Sequence, residues 1–485
     1  MTIPGAGTHI LVFPYPAQGH MLPLLDLTHQ LVLRGLTITI LVTPKNLSIL
    51  NPFLSTHPSS IKTLILPFPS HPSVPSGVEN VKDLPNNSLS AMVSALRQLH
   101  DPLLHWFRSH PSPPSAIISD FFLGWTHHLA CQLSIPRIVF SPSSAAFVSL
   151  INCLWRETPQ RGDPDYNDPD FPISFPKVPG SPIYPWRQLS FVYRSYVRGD
   201  PEWELIRDDY LANIASWGIA FNSFSELEHN YLDHLKKDLG HDRIWAVGPL
   251  LPPDDDPTAP TERGGSNSIS VHDIMSWLDK REKKSVVYVC FGSQAVLANE
   301  QMEALADGLE HSGVHFIWCV KEATVGHVAG KYGVVPSGFE DRVAGRGLVI
   351  RGWAPQVSIL RQRAVGSFLT HCGWNSVLEG IVAGVPLLAW PMTADQFADA
   401  RLLDEVGVGV KVCEGPETVP NSAVLAKAMT ESVSVKGSKR DRALELQKAA
   451  LGVIKEGGSS FKDLDRFVKD LIRTEIKFGD KEVIA

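Results

Sequence analysis

The sequence has no basic stripe, no apolar run of membrane length and no cysteine pair at ligand spacing, and each gap removes a class of function. Net charge is −7, from 44 Lys+Arg against 51 Asp+Glu scattered along 485 residues. Nucleic acid is therefore not an expected partner, because no clustered cationic face supplies the phosphate attraction such binding needs. The start, MTIPGAGTHILVFPYPAQGH, lacks a basic n-region and a continuous apolar core, and no other stretch reaches the roughly 20 apolar residues of a membrane helix. The expectation is a chain with no signal peptide and no membrane span. Cysteines 131, 153, 290, 319, 372 and 413 form no CxxC, which points to reduced thiols in a cytosolic protein.

What is present is an alternation of short apolar runs with amphipathic stretches, the pattern of parallel sheets covered by helices on both faces. HILVFPYP reads as a strand and LPLLDLTHQLVLRG as its helix, closed by Gly35; LTITILVT, SAIISDFF, RIVFSP and GIAFNS continue the series. The Pro-rich stretches 51–88 and 158–187 give no regular pattern and read as long loops of the kind that line binding sites. At 247–270 Pro, Asp, Gly and Ser collect in an exposed linker. Alternation then restarts with SVVYVCFGS, VHFIWCV, GLVIRGW, VGSFLTH and VPLLAW as strands, and NEQMEALADGLEHSG and SVLEGIVAG as helices. Met302, Leu305, Ala306 and Leu309 fall on one core-facing stripe. The fold class is α/β, with two doubly wound Rossmann-like domains facing across a cleft. The expected bounds are 1–248, a linker over 249–273, 274–455, and a C-terminal helix and tail over 456–485. In such sheets ligands meet the C-terminal ends of the strands, so function belongs in the residues just after them.

In GSFLTHCGWNSVLEG, His371 ends a strand while Asn375 and Ser376 stand at a helix start. Free N–H groups, the helix dipole and small polar side chains there favour a phosphate, although Asn and Ser are equally common as plain N-caps. VCFGSQAVLANEQ repeats the logic with Gly292 and Ser293. Neither stretch holds GxGxxG or GxxxxGK[ST], so nicotinamide hydride transfer and P-loop hydrolysis lose support. Trp353 follows a strand at the ligand edge, where it can stack on a base or plug a core. Glu379, one turn into its helix, can accept from ribose hydroxyls or be a solvated charge. Asp395 and Gln396 precede a helix and suit sugar hydroxyls.

From Trp353 to Gln396, WAPQ, THCGWNSVLEG, GVP, WP and DQ together resemble the glycosyltransferase box of plant family 1 UDP-glycosyltransferases, enzymes of GT-B type. PYPAQGH near the start, VGPL before the linker and FGS after it extend the resemblance over nearly the whole chain, which looks closest to enzymes acting on flavonoids and small phenolics.

The resemblance implies an N-terminal acceptor domain and a C-terminal UDP-sugar domain. Trp353 would stack on uracil with the Ala354 backbone at its edge, and Gln356 and Glu379 would hold the ribose. His371, Asn375, Ser376 and Ser293 would contact the diphosphate; Trp374, Asp395 and Gln396 would hold the hexose. His20, from the family's GH, would be the general base, a residue type whose ordinary pKa suits proton abstraction at neutral pH, and Asp120 would stabilise its charged form. Phe122, beside Asp120, would touch the acceptor. The implied reaction is transfer of glucose from UDP-glucose, with inversion, to a hydroxyl of a small hydrophobic phenolic acceptor. It needs no metal and no cofactor beyond the donor substrate, and no Asp-x-Asp motif occurs among these residues. UDP-rhamnose or UDP-xylose as donor and a terpenoid or benzoate as acceptor are alternatives. An epimerase or a non-catalytic sugar-nucleotide-binding protein would not require the His20–Asp120 dyad.

Overall fold

The computed structural model describes residues 7–84, 89–159, 168–250, 268–323, 330–434 and 437–479. Its strands are β1 (His9–Phe13), β2 (Thr37–Val42), β3 (Ile61–Ile65), β4 (Ala116–Asp120), β5 (Arg137–Ser141), β6 (Pro172–Ser174), β7 (Ile183–Pro185), β8 (Gly218–Phe221) and β9 (Ile244–Ala246). They continue with β10 (Val286–Cys290), β11 (His315–Val320), β12 (Gly347–Arg351), β13 (Val365–Thr370), β14 (Leu387–Ala389) and β15 (Gly409–Lys411). The chain divides into two compact units: Met1–Arg187, Phe191–Glu262 and Val453–Ala485 form one, Gln188–Ser190 and Arg263–Gly452 the other.

In the first unit the strand order is β3-β2-β1-β4-β5-β8-β9, with every pair parallel. The second sheet runs β12-β11-β10-β13-β14-β15, also parallel throughout. Central strands such as β1 (HILVF) and β10 (VVYVC) are buried at every position. Being covered on both faces, they read as unbroken apolar runs rather than alternations. Both sheets are doubly wound, and the winding reverses between β1 and β4 in one and between β10 and β13 in the other. In doubly wound sheets such points are where side chains after the strands converge on ligands.

The stripe Met302, Leu305, Ala306 and Leu309 is buried in the second core, in the helix Asn299–Ser312. Other elements depart from expectation. The first helix runs Gln18–Leu33 and starts four residues before LPLLDL, so His20 sits in its first turn and not in a loop. Gly19 and Pro23 hide that start, one by weak propensity and the other by removing an intrahelical donor. Gly35 follows its C-cap with φ +88, the left-handed conformation that favours glycine. Within 51–88, β3 adds an edge strand, and within 158–187 β6 and β7 form an antiparallel pair. Most of the linker expected over 249–273 lies outside the described residues; the helix Val271–Asp279, capped by Ser270, begins inside those bounds. The final helix, Ser459–Gly479, packs Leu464, Phe467, Val468 and Leu471 into the core of the first unit. Each such fully buried side chain contributes about 1.5–3 kcal/mol. The tail beyond residue 479 lies outside the described residues. Among the described residues no helix is long and apolar enough to cross a membrane.

Candidate active site

At the first reversal point, β4 ends on Asp120 while the helix after β1 presents His20. Asp120 Oδ2 accepts from His20 Nδ1 at 2.8 Å, and Oδ1 accepts from the Phe122 amide at 2.9 Å, so one carboxylate both caps the turn Phe121–Leu123 and orients the imidazole. An ionised carboxylate only accepts, which puts the proton on Nδ1 and the lone pair on Nε2. The Asp120 side chain is wholly buried and that of His20 is 20% exposed. Three aromatic rings hold the imidazole: Phe122 stacks on it at 5.0 Å, Tyr15 meets it edge-on at 5.4 Å and Phe121 is tilted at 5.6 Å. Behind the dyad the buried Arg137 donates to the Asp120 carbonyl at 3.1 Å and to Ser119 Oγ at 2.9 Å. Burial pushes its pKa down to about 9, which leaves it charged at neutral pH.

The second reversal point gathers the residues of the 353–396 stretch. His371 follows β13 and Gly292 follows β10. A Cβ added at either Gly292 or Gly373 would lie 2.6 Å from His371 Nε2, so the imidazole rests on bare backbone that glycine alone allows. Gly292 also has φ +73. His371 Nδ1 is buried with no partner among the described residues, and burial lowers its pKa to about 4, so the ring is neutral at pH 7. The helix Trp374–Ala383 has Gly373 as its N-cap with no side-chain cap. Asn375 and Ser376 are thus inside the first turn, which removes their reading as N-caps. The Trp374 side chain is buried. Ser293 lies in the turn after β10, six residues ahead of the helix at Asn299, and its carbonyl accepts from Lys321 Nζ.

Gln356 opens the helix Gln356–Arg361 and donates from Nε2 to Glu379 Oε2 at 2.6 Å and to Ser376 Oγ at 3.0 Å; its Oε1 accepts from Tyr288 at 3.2 Å. This joins the two expected ribose residues to one expected phosphate residue. Trp353 is half-buried just past β12, outside the second core cluster, and Ala354 beside it is buried. Asp395 is the N-cap of the helix Gln396–Glu405. Gln396 Oε1 accepts from the amides of Met392 at 2.9 Å and Thr393 at 3.0 Å, so both of its lone pairs are taken and its side chain can meet a ligand only as a donor.

The sequence alone does not single out Tyr15, Arg137 or Tyr288 for these places. The signal for Tyr15 is its position in the same PYPAQGH stretch as His20. For Tyr288 it is a hydroxyl inside an otherwise apolar strand, which must find a partner. Among the described residues no group of three or more His, Cys, Asp or Glu side chains is placed to hold a metal ion.

A family model described as UDP-glucoronosyl and UDP-glucosyl transferase matches residues 270–441, the stretch that contains the whole second cluster. UDP-glycosyltransferase 89B2 of Stevia rebaudiana is 60% identical over 467 residues, covering 96% of this chain and 98% of that one. The chain belongs to the plant UDP-glycosyltransferases. Flavonol 3-O-glucosyltransferase UGT89B1 of Arabidopsis thaliana is 57% identical to this glycosyltransferase over 469 residues, 96% of each chain. Among solved structures, Arabidopsis thaliana UGT89C1 complexed with UDP-L-rhamnose superposes with a TM-score of 0.79 at 43% identity, covering 96% of this chain and 98% of that one. The same protein complexed with quercetin gives 0.76 at 42%, covering 96% and 99%. The fold class of this glycosyltransferase is that of the GT-B enzymes, two doubly wound Rossmann-like units.

Proposed function

We propose that this glycosyltransferase moves glucose from UDP-glucose to a hydroxyl of a flavonoid or related phenol, with inversion at the anomeric carbon. His20 Nε2 takes the phenolic proton as the oxygen bonds to C1, while the bond from C1 to the diphosphate breaks and UDP departs with the electron pair. Asp120 holds the imidazole in the required tautomer and offsets its positive charge. The observation that carries this reading is the 2.8 Å contact from His20 Nδ1 to Asp120 Oδ2. In the second unit, Trp353 stacks on uracil beside Ala354, Gln356 and Glu379 hold the ribose, and Trp374, Asp395 and Gln396 the hexose. Ser293, Asn375, Ser376, the helix start and the neutral imidazole of His371 receive the diphosphate, stabilising it as it leaves. Six free thiols support a reducing, cytosolic setting.

Glucose is favoured by the 57% identical relative whose name is that of a flavonol 3-O-glucosyltransferase. UDP-rhamnose is the second reading, because a neighbour at 43% identity was solved with UDP-L-rhamnose. The test is incubation of the purified protein with UDP-glucose, UDP-rhamnose or UDP-xylose and a panel of phenols, with products identified by mass and NMR. A β-glucoside as main product is expected. Faster turnover of UDP-rhamnose overturns the donor, and a retained α-linkage overturns the mechanism.

A further inference from the structure

The helix Ala145–Glu157 turns Phe147, Val148, Ile151 and Asn152 to one side, at helical spacings that place all four on a single face. That face closes a cavity of about 20 Å³ inside the first unit, whose other walls include Phe121, Val139 of β5 and Tyr210. Stacking of the Tyr210 ring on Trp155 at 4.8 Å fixes the wall. Polar side chains on the lining are mostly committed. Asn213 donates to the Phe121 carbonyl at 2.7 Å and accepts from Arg137 at 2.7 Å, and Ser141 donates to the Ser143 carbonyl at 3.0 Å. Asn152 is 5% exposed, and its Nδ2 has no partner among the described residues.

A buried amide without a partner costs stability, so a residue of this kind in a ligand wall calls for an occupant. The cavity has room for one water-sized group. The Asn152 amide group carries two N–H donors, and a single oxygen placed in the cavity can accept from it. An oxygen substituent of an aromatic acceptor matches that volume, with the ring that carries it lying outside the cavity. Phe121 links this cavity to the dyad, since the same side chain lines the cavity and lies 5.6 Å from the His20 imidazole.

Resting on the phenolic acceptor proposed above, we infer that Asn152 determines acceptor specificity. Its Nδ2 donates to a hydroxyl or carbonyl oxygen at the end of the acceptor remote from the reacting hydroxyl, and the cavity closes around that oxygen.

The test uses two acceptors that share the reacting hydroxyl, identified by product NMR, and differ by one oxygen on the remote ring. Wild type is expected to prefer the oxygenated member in kcat/KM by about tenfold or more. Asn152→Leu should bring the two together by lowering kcat/KM for the oxygenated acceptor alone, with the deoxy acceptor and UDP affinity unchanged. Asn152→Ser, which keeps a donor, should retain part of the preference and serves if the Leu variant does not fold. An equal ratio in wild type and variants, or the same loss on both acceptors, overturns the inference and leaves the glycosyltransferase reading intact; a structural water at Asn152 would give the second pattern. Wild type that transfers sugar to no phenol overturns both.

Discussion

His20 and Asp120 stand 100 positions apart in the sequence and 2.8 Å apart in space, one in the first turn after β1 and the other on the last residue of β4. The contact crosses the point where the first sheet reverses its winding. Replacing His20 with Ala removes the proton acceptor and should lower kcat by about 10²- to 10⁴-fold. UDP affinity should hold, because nucleotide recognition is assigned to residues of the other unit. Asp120→Asn keeps the bond to the Phe122 amide and loses the charge facing the imidazole, so kcat should fall with little change in melting temperature. A drop in melting temperature at full kcat would make Asp120 a structural cap and nothing more.

Trp353 is half-buried outside the second core cluster. Its ring is therefore open to a stacking ligand, and Trp353→Ala should weaken UDP binding by about 1–3 kcal/mol. Calorimetry with UDP alone reads this without turnover. Unchanged affinity, or a large loss of stability, would assign the ring to packing.

His371 links the second cluster to pH. Its folded pKa of about 4 lies below the ordinary 6.5, so between those values the unfolded chain binds a proton that the folded chain does not. Its contribution to stability is complete above about pH 6.5 and is lost as pH falls toward 4, at a cost of about 3 kcal/mol at most. His371→Gln should flatten that part of the stability profile, measured by denaturant titration between pH 4.5 and 7. Identical slopes in the two proteins would refute the assignment.

Gly292→Ala tests the same contact from the other side. The new Cβ would lie 2.6 Å from His371 Nε2 on a backbone with φ +73, so the change combines a clash with strain. A loss of more than about 1 kcal/mol in stability is expected, together with weaker UDP binding as the imidazole is displaced. Wild-type values for both would mean that the turn relaxes freely.

Much of this architecture is legible in the sequence because parallel strands buried on both faces leave continuous apolar runs; HILVF and VVYVC announce both central strands and, through them, both reversal points. β3 escapes because Lys62 and Thr63 break its run at a sheet edge, and the helix start at Gln18 is masked by Gly19 and Pro23. That the last helix joins the first unit is not readable, since an amphipathic stripe does not name the surface it meets. The site residues are legible largely through the resemblance of the 353–396 stretch. The neutral state of His371 and the unpartnered amide of Asn152 depend on burial created by distant segments, which no local pattern encodes.

Gln396 carries the last prediction. As a free amide it would donate to one sugar hydroxyl and accept from the next, an arrangement that suits the adjacent 3- and 4-hydroxyls of glucose. The amides of Met392 and Thr393 occupy both lone pairs of Oε1, so only the two Nε2 protons remain for a ligand. Gln396→Glu separates these roles. A carboxylate can still accept from both amides and hold the loop, but it has no proton to give the sugar. Stability and UDP affinity should therefore stay near wild type, while kcat/KM with UDP-glucose falls about tenfold or more. Gln396→His breaks the loop contacts as well, and should lower stability in addition to activity. If Gln396→Glu retains full kcat/KM with UDP-glucose, the side chain serves the loop alone and the choice of sugar lies with Asp395 or other residues around it.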